Sequence, residues 1–347
     1  MVPDKELFRV EAKAKGRICF GDNVTFGCFL KNILVTGATG FVGQALVTKL
    51  LAEKFSVSAL VRSETAYLPS DIRKVIVPDL VAQTEFQSIL HNVEVVIHTA
   101  GRAHIMNDDV TNSLDEFRKV NTDATLRLAK QAAEADVKRF IFISSIGVNG
   151  TFNSKPFVEA DNVNPQEFYA VSKYEAEQGL LALAKGIGME VVIIRPPLVY
   201  GASAPGNFGS LVRWMKKGVP LPFGAIYNKR SLVALDNLVN FIIHCIDHPK
   251  AANEVFLISD GEDVSTTQLL SKVAKAYGKK TCLIPVPVSW MTFTARLVGK
   301  ADVANRLFSS LQVDSAKARD LLGWKSVVTM DEQLKKVVEV YLNKKEV

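Results

Sequence analysis

Ile33-Leu34-Val35-Thr36-Gly37-Ala38-Thr39-Gly40-Phe41-Val42-Gly43-Gln44-Ala45-Leu46 decides the fold. Its first four residues are an apolar strand signal. Gln44 to Leu51 has helical spacing, so the glycines stand where a strand turns into a helix, the context that a phosphate-binding turn requires. Glycine permits a positive φ and close backbone approach, and the unpaired N–H groups at the positive end of the helix attract a pyrophosphate. About 130 residues further on stands Tyr169-Ala170-Val171-Ser172-Lys173. The stretch from Phe168 to Leu183 lacks proline and is helical in period, so Tyr169 and Lys173, four apart, share one face. A free tyrosine, with a pKa of about 10, is a poor acid or base at neutral pH. An ammonium beside it favours the phenolate. Together the motifs read as a dinucleotide site with an acid/base pair.

From Lys31 apolar strands alternate with helical stretches, the pattern of an α/β, doubly wound parallel sheet of Rossmann type. Strands are expected at 32–36, 56–61, 73–77, 94–98, 139–144 and 190–195, and helices at 41–53, 83–90, 113–134 and 168–185. After residue 197 prolines loosen the pattern. The expected division is a nucleotide-binding domain over 31–196 plus about 231–262, with a smaller C-terminal substrate lobe from about 197–230 and 263–347. Residues 1–30 stand apart as an extension, upstream sequence or disordered. Leu30 occupies the place where a start is expected, and an N-terminal peptide of the native protein beginning before Lys15 would contradict that reading.

The 347 residues, 48% of them hydrophobic, suffice for a large core. Cys19, Cys28, Cys245 and Cys282 follow no metal-ligand or disulfide-framework spacing, which points to a reducing compartment and no metal. The net charge of +6 is spread along the chain without a block of like charges, so nucleic-acid binding is not indicated. It suits an anionic substrate and cofactor. No apolar run approaches the length of a membrane span and the N-terminus is a poor signal peptide, so a cytoplasmic protein is expected. Val286-Pro287-Val288-Ser289-Trp290-Met291-Thr292-Phe293 reads as the start of a core helix rather than a membrane contact.

The motifs resemble the extended short-chain dehydrogenase/reductases, the NAD-dependent epimerase/dehydratase family, over about residues 31–345. That resemblance implies a catalytic set of Ser145, Tyr169 and Lys173. Ser145 takes the serine place in Ser144-Ser145-Ile146-Gly147-Val148-Asn149-Gly150. It implies cofactor contacts from Gly37, Thr39, Gly40, Phe41, Val42 and Gly43 and from Asp79 and Leu80 at the adenine. Thr99, Ala100, Gly101, Asn121, Ser144 and Pro196 complete the set with Tyr169 and Lys173. The acidic place at the end of the second strand holds Val61 followed by Arg62, so NADP(H) is favoured, with NAD as the alternative. His98 reads as a structural residue.

For the substrate, the resemblance implies a UDP-sugar met by Arg102, His104, Ser145, Asn207 and Arg230. The guanidinium of Arg230 clamps the diphosphate, for which its fork of donors is suited. Asp236 is expected to fix the backbone locally. Arg195-Pro196-Pro197-Leu198-Val199-Tyr200-Gly201 is similar to the family segment beside the nicotinamide, and Ala103-His104-Ile105-Met106-Asn107-Asp108, Ser144-Ser145-Ile146-Gly147-Val148-Asn149-Gly150, Arg230-Ser231-Leu232-Val233-Ala234-Leu235-Asp236-Asn237-Leu238 and Ser259-Asp260-Gly261-Glu262-Asp263 narrow the resemblance. They point to a bacterial subgroup of UDP-glucose 4-epimerases and UDP-N-acetylquinovosamine dehydrogenases, the latter 4-ketoreductases of surface polysaccharide (O-antigen, lipopolysaccharide) synthesis. Gly147 departs from that subgroup's lysine. The Val61-Arg62 pair favours the reductase, with the 4-epimerase as alternative. A 4,6-dehydratase would call for acidic residues where Ile146-Gly147 stand, and a non-catalytic NADP-binding protein is a remote third reading. Relatives also suggest a homodimer through a bundle of the helices at 113–134 and 168–185.

Overall fold

The computed structural model describes residues 18–19, 28–29, 31–64, 67–78, 84–103, 113–299 and 301–343. The main sheet comprises β1 (Asn32–Thr36), β2 (Ser56–Val61), β3 (Arg73–Ile76), β4 (Val95–His98), β5 (Arg139–Ile143), β6 (Glu190–Arg195) and β9 (Glu254–Leu257). Its order is β9-β6-β5-β4-β1-β2-β3. β1 pairs parallel with both β2 and β4, β2 with β3, and β4 with β5. The run 3-2-1-4-5-6 within it is the doubly wound order, and the chain reverses direction between β1 and β4. Each expected strand is present, with ends shifted by no more than a residue or so. Glu254–Leu257 returns to the sheet edge beside β6.

Contact clustering divides the chain into two units, each drawn from three segments. The first contains residues 1–143, 175–193 and 242–254, and the second 144–174, 194–241 and 255–347. In the first unit α1 (Phe41–Ala52) buries Leu46, Val47 and Leu50. The strands supply the fully buried Leu34, Val35, Phe140, Ile141 and Phe142. The buried Arg139 donates to Glu190 and to the carbonyls of Cys245, Ile246 and His248. A cation there satisfies the carbonyls that end α7 (Leu235–Asp247).

Two helices differ from expectation. Of the described part of the stretch 83–90, residues 84–90, only Gln87–Leu90 forms a helix, α2. The stretch 113–134 forms α3 (Ser113–Arg118) and α4 (Ala124–Glu134), joined by a π-helical turn over Lys119–Asp123. The wider turn marks a functional position in many helices, and here it carries Asn121.

In the second unit β7 (Leu198–Tyr200) lies parallel to β8 (Arg230–Ala234), which pairs antiparallel with β10 (Asp263–Val264). The long helix α5 (Phe168–Ile187) begins in this unit. α6 (Asn207–Lys217), α8 (Thr266–Ala276), α9 (Val288–Leu297), α10 (Ala301–Phe308), α11 (Ala316–Leu322) and α12 (Met330–Asn343) complete it. Phe241 forms a core node, edge-on to Phe256 at 5.5 Å and to Trp324 at 5.2 Å. The expectation of a core helix at Val286–Phe293 is corrected. Pro287 caps α9, whose one buried residue is Met291, and Trp290 and Phe293 face solvent. Apolar composition without a covering element is what the sequence pattern alone cannot distinguish from a core helix.

Candidate active site

In the first unit, steric demands at the glycine turn are absolute. Gly37 has φ +68°, and a Cβ on it would lie 2.6 Å from Ala100 N, so this turn packs on the loop after β4. A Cβ on Gly43 would lie 2.1 Å from the Gly37 carbonyl oxygen. Gly40 caps α1 without a side-chain acceptor, so the N–H groups of Phe41, Val42 and Gly43 lack helical partners by geometry. Uncapped donors, a helix dipole and backbone with no room for side chains fit a pyrophosphate. Ala38 is buried, whereas Thr39 is exposed and its carbonyl accepts from Gln44 Nε2 at 2.7 Å.

The loop after β4 is held at both ends. Thr99 Oγ1 donates to the Thr36 carbonyl at 2.7 Å. Asn121 Oδ1 accepts from the Arg102 N–H at 2.8 Å and its Nδ2 donates to the Arg102 carbonyl at 3.1 Å. The π turn therefore presents an amide that brackets Arg102 and fixes the course of Thr99-Ala100-Gly101. Arg102 itself pairs with Glu116 at 3.3 Å. His98 sits between Thr36 Oγ1 at 2.7 Å and Thr125 Oγ1 at 3.0 Å, against Phe142, as a structural residue. Arg62 is exposed directly after β2, with no carboxylate at that strand's end. Asp79, Leu80 and His104 lie outside the described residues.

The second unit carries Ser145, Tyr169 and Lys173, the residues expected to form the acid/base set. The serine segment lies beside Arg195-Pro196. Ser144 N–H donates to the Ile194 carbonyl at 2.8 Å and Ile146 N–H to the Pro196 carbonyl at 3.0 Å. Ser145 Oγ accepts from Gly147 N–H at 3.1 Å, capping a 3-10 turn over Ile146–Val148. Ile146 anchors the loop in a buried cluster with Leu257, Leu311 and Val313. A Cβ at residue 147 would stand 3.3 Å from both Ser145 Oγ and Ala170 Cβ. Gly147 thus lets the serine loop lie close against the start of α5, which Tyr169 occupies.

Lys173 follows one turn later on the same face and is 2% exposed. Burial, with a smaller push from Glu167, raises the Tyr169 phenol to about 12. Two buried polar atoms of this region, Ser144 Oγ and Asn149 Nδ2, have no hydrogen-bond partner among the described residues. Asn149 Oδ1 is taken by Arg195 Nη1 at 3.0 Å. Arg230, whose guanidinium burial moves down in pKa, donates from Nη1 to the carbonyls of Arg306 and Ser309 at the end of α10. Asn207 is the first residue of α6.

Asp260 was not legible as a functional position. Its Oδ2 accepts from Tyr200 OH at 2.8 Å, and its Oδ1 from Ala234 N–H at 2.9 Å and Asn237 Nδ2 at 2.7 Å. It therefore ties the end of β7 to the turn from β8 into α7. The role expected of Asp236 falls to Asp260. Asp236 stands in the first turn of α7, where it instead pairs with Lys336 at 2.6 Å on α12. Asp260→Ala leaves a fully buried phenol and the Ala234 N–H unpaired, while Asn237 Nδ2 keeps the Val328 carbonyl at 2.9 Å, for an expected loss of about 3 kcal/mol in urea unfolding. Asp236→Ala, at a half-exposed ion pair, is expected to cost less than about 1 kcal/mol. Equal losses for the two variants would contradict this assignment.

The model of the NAD dependent epimerase/dehydratase family matches residues 33–259. The chain belongs to this family. A family relative, the UDP-glucose 4-epimerase of Vibrio cholerae, is 49% identical over 316 residues, covering 90% of this chain and 96% of that protein. Among solved structures, MoeE5 in complex with UDP-glucose and NAD is 25% identical, covers 90% of this chain and 98% of its own, and superposes with a TM-score of 0.73. The UDP-N-acetylglucosamine 4-epimerase of Bacillus cereus, 20% identical, has the same fold with a TM-score of 0.74 over 91% of this chain and 98% of that one. The family binds NAD(P), and the chain is an enzyme of the short-chain dehydrogenase/reductase type.

Proposed function

We propose that the protein is a UDP-hexose 4-epimerase that retains its dinucleotide, preferentially NAD. The observation that carries this reading is the 49% identity with the Vibrio cholerae UDP-glucose 4-epimerase over nearly the whole of both chains. The family turn, Gly37 to Gly43 with Thr99 and Ala100, would hold the cofactor, which when bound supplies the acceptor and donor for the hydride at sugar C4. Tyr169 takes the proton from the C4 hydroxyl and returns it after the sugar has presented its other face. Ser145, oriented by the Gly147 N–H, hydrogen-bonds the same oxygen. Lys173, one turn on along the same helix face, would add its charge to that of the oxidised cofactor in bringing the phenol toward neutral pH. Arg230 is assigned to the diphosphate and Arg102 to the sugar side. Ile146-Gly147 provide no carboxylate beside the serine for dehydration.

A second reading, reduction of a UDP-4-keto-6-deoxy-N-acetylhexosamine with NADPH, is favoured by one observation, the exposed Arg62 at a strand end lacking an acid. One experiment separates them. The protein is purified without added cofactor, its released nucleotide is identified, and it is assayed with UDP-glucose or UDP-N-acetylglucosamine alone and with the 4-keto sugar plus NADPH or NADH. Bound NAD and C4 inversion without net oxidation are expected. Little bound cofactor and stoichiometric NADPH oxidation would replace the epimerase by the reductase.

A further inference from the structure

α9 presents Trp290, Phe293 and Leu297 at 71%, 63% and 71% exposure, followed by Val298 at 68%. Their spacing of three and four places them on one helix face. The strand-like segment before α9 is paired with the segment after α6. Leu221 N–H donates to the Cys282 carbonyl at 3.0 Å and Ile284 N–H to the Leu221 carbonyl at 2.8 Å. Val219 and Ile284, 44% and 50% exposed, extend the apolar surface there.

The segments that carry this face are predominantly basic, although Arg195 among them is buried. Residues 191–235 and 264–301 each hold six Lys or Arg and no Asp or Glu. These two segments therefore carry +12 in a chain of net +6, leaving −6 for the remainder. Asp331 on α12 offsets part of it, pairing with Lys272 at 2.7 Å and Lys275 at 4.0 Å. Lys217, Lys280 and Arg296 are exposed on the paired segments and on α9 itself. A second copy docking face to face would set these cations against one another. A flat anionic surface would pair with them.

We propose that this face docks on an anionic phospholipid surface. Trp290, Phe293 and Leu297 enter the boundary between headgroups and acyl chains, where an indole is favoured, and the surrounding cations meet lipid phosphates. Among the described residues no helix is long and apolar enough to cross a membrane, so the contact is peripheral. The proposal is independent of which sugar chemistry the protein performs.

The test uses the full chain with vesicles of phosphatidylcholine alone or mixed with phosphatidylglycerol, read by co-sedimentation and tryptophan emission. Binding to the mixed vesicles only, a blue shift of emission and release by salt are expected. Trp290→Ser with Phe293→Ser should weaken binding about tenfold or more, with melting temperature and released nucleotide unchanged. Should that double variant misfold, Arg296→Glu, at an exposed position, makes the same comparison. No sedimentation with anionic vesicles, or binding that the substitutions leave intact, overturns the proposal. Loss of a dimer on Trp290→Ser without vesicle binding by the parent assigns the face to a second copy instead.

Discussion

Tyr169→Phe is expected to lower kcat by about three orders of magnitude and to leave the fold and bound nucleotide in place. The change removes one oxygen at a half-buried position whose neighbours include the serine loop. The physical reason for so large an effect is the position of the phenol on its titration scale. Burial and Glu167 raise it to about 12 in the ligand-free protein, so at neutral pH the hydroxyl is protonated and cannot accept a proton from sugar. Acting as a base would therefore depend on positive charge beyond what the ligand-free chain supplies, such as an oxidised nicotinamide ring would bring. The sign follows directly. Turnover in the proton-removing direction rises with pH through the lowered pKa, while the ligand-free phenol ionises only near 12. Phenolate absorbance titrated with and without NAD reports the difference. A phenylalanine variant retaining a tenth of parental turnover would remove Tyr169 from its proposed role.

Gly43→Ala is expected to yield protein that carries little or no dinucleotide, with a stability lower by about 2 kcal/mol. The added methyl would lie 2.1 Å from the Gly37 carbonyl oxygen and 2.8 Å from Ala38 Cα, both backbone atoms that cannot swing aside. Relief requires moving the turn whose N–H groups the pyrophosphate needs. Gly186→Ala is the matched control. It also replaces a helical glycine, no atom lies within 4 Å of its new Cβ, and helix propensity alone should make it neutral or stabilising by up to about 1 kcal/mol. Nucleotide released by heat and quantified by chromatography decides the matter. Equal cofactor content in the two variants would show that the Gly37–Gly43 approach is not what shapes the site.

The glycine turn, the strand series and the Tyr169-Lys173 spacing were legible because each is a local demand. A positive φ, a short apolar run and a helical turn all leave their mark within a few residues. Asp260 left no such mark, since its partners Tyr200 and Asn237 are 60 and 23 residues away and meet it only in the folded unit. The π turn was hidden for another reason. It adds a residue to one turn without changing the apolar character of the helix around it, so 113–134 read as uninterrupted. α9 was misread because periodicity reports that a face is apolar and not what covers it. Arg62 shows the converse limit. Its place at a strand end was foreseen, yet the choice between two dinucleotides depends on a phosphate that it would have to meet.

Each unit is stitched from three separate stretches of chain, and this constrains how the protein is made. The first unit lacks its last stretch until residue 254 has left the ribosome, and by then nearly half of the second has already emerged. Vectorial synthesis, in which an N-terminal domain finishes before the next begins, has no stopping point here. The nascent chain must carry two unfinished cores at once, so slowing translation between residues 143 and 254 should favour aggregation rather than relieve it.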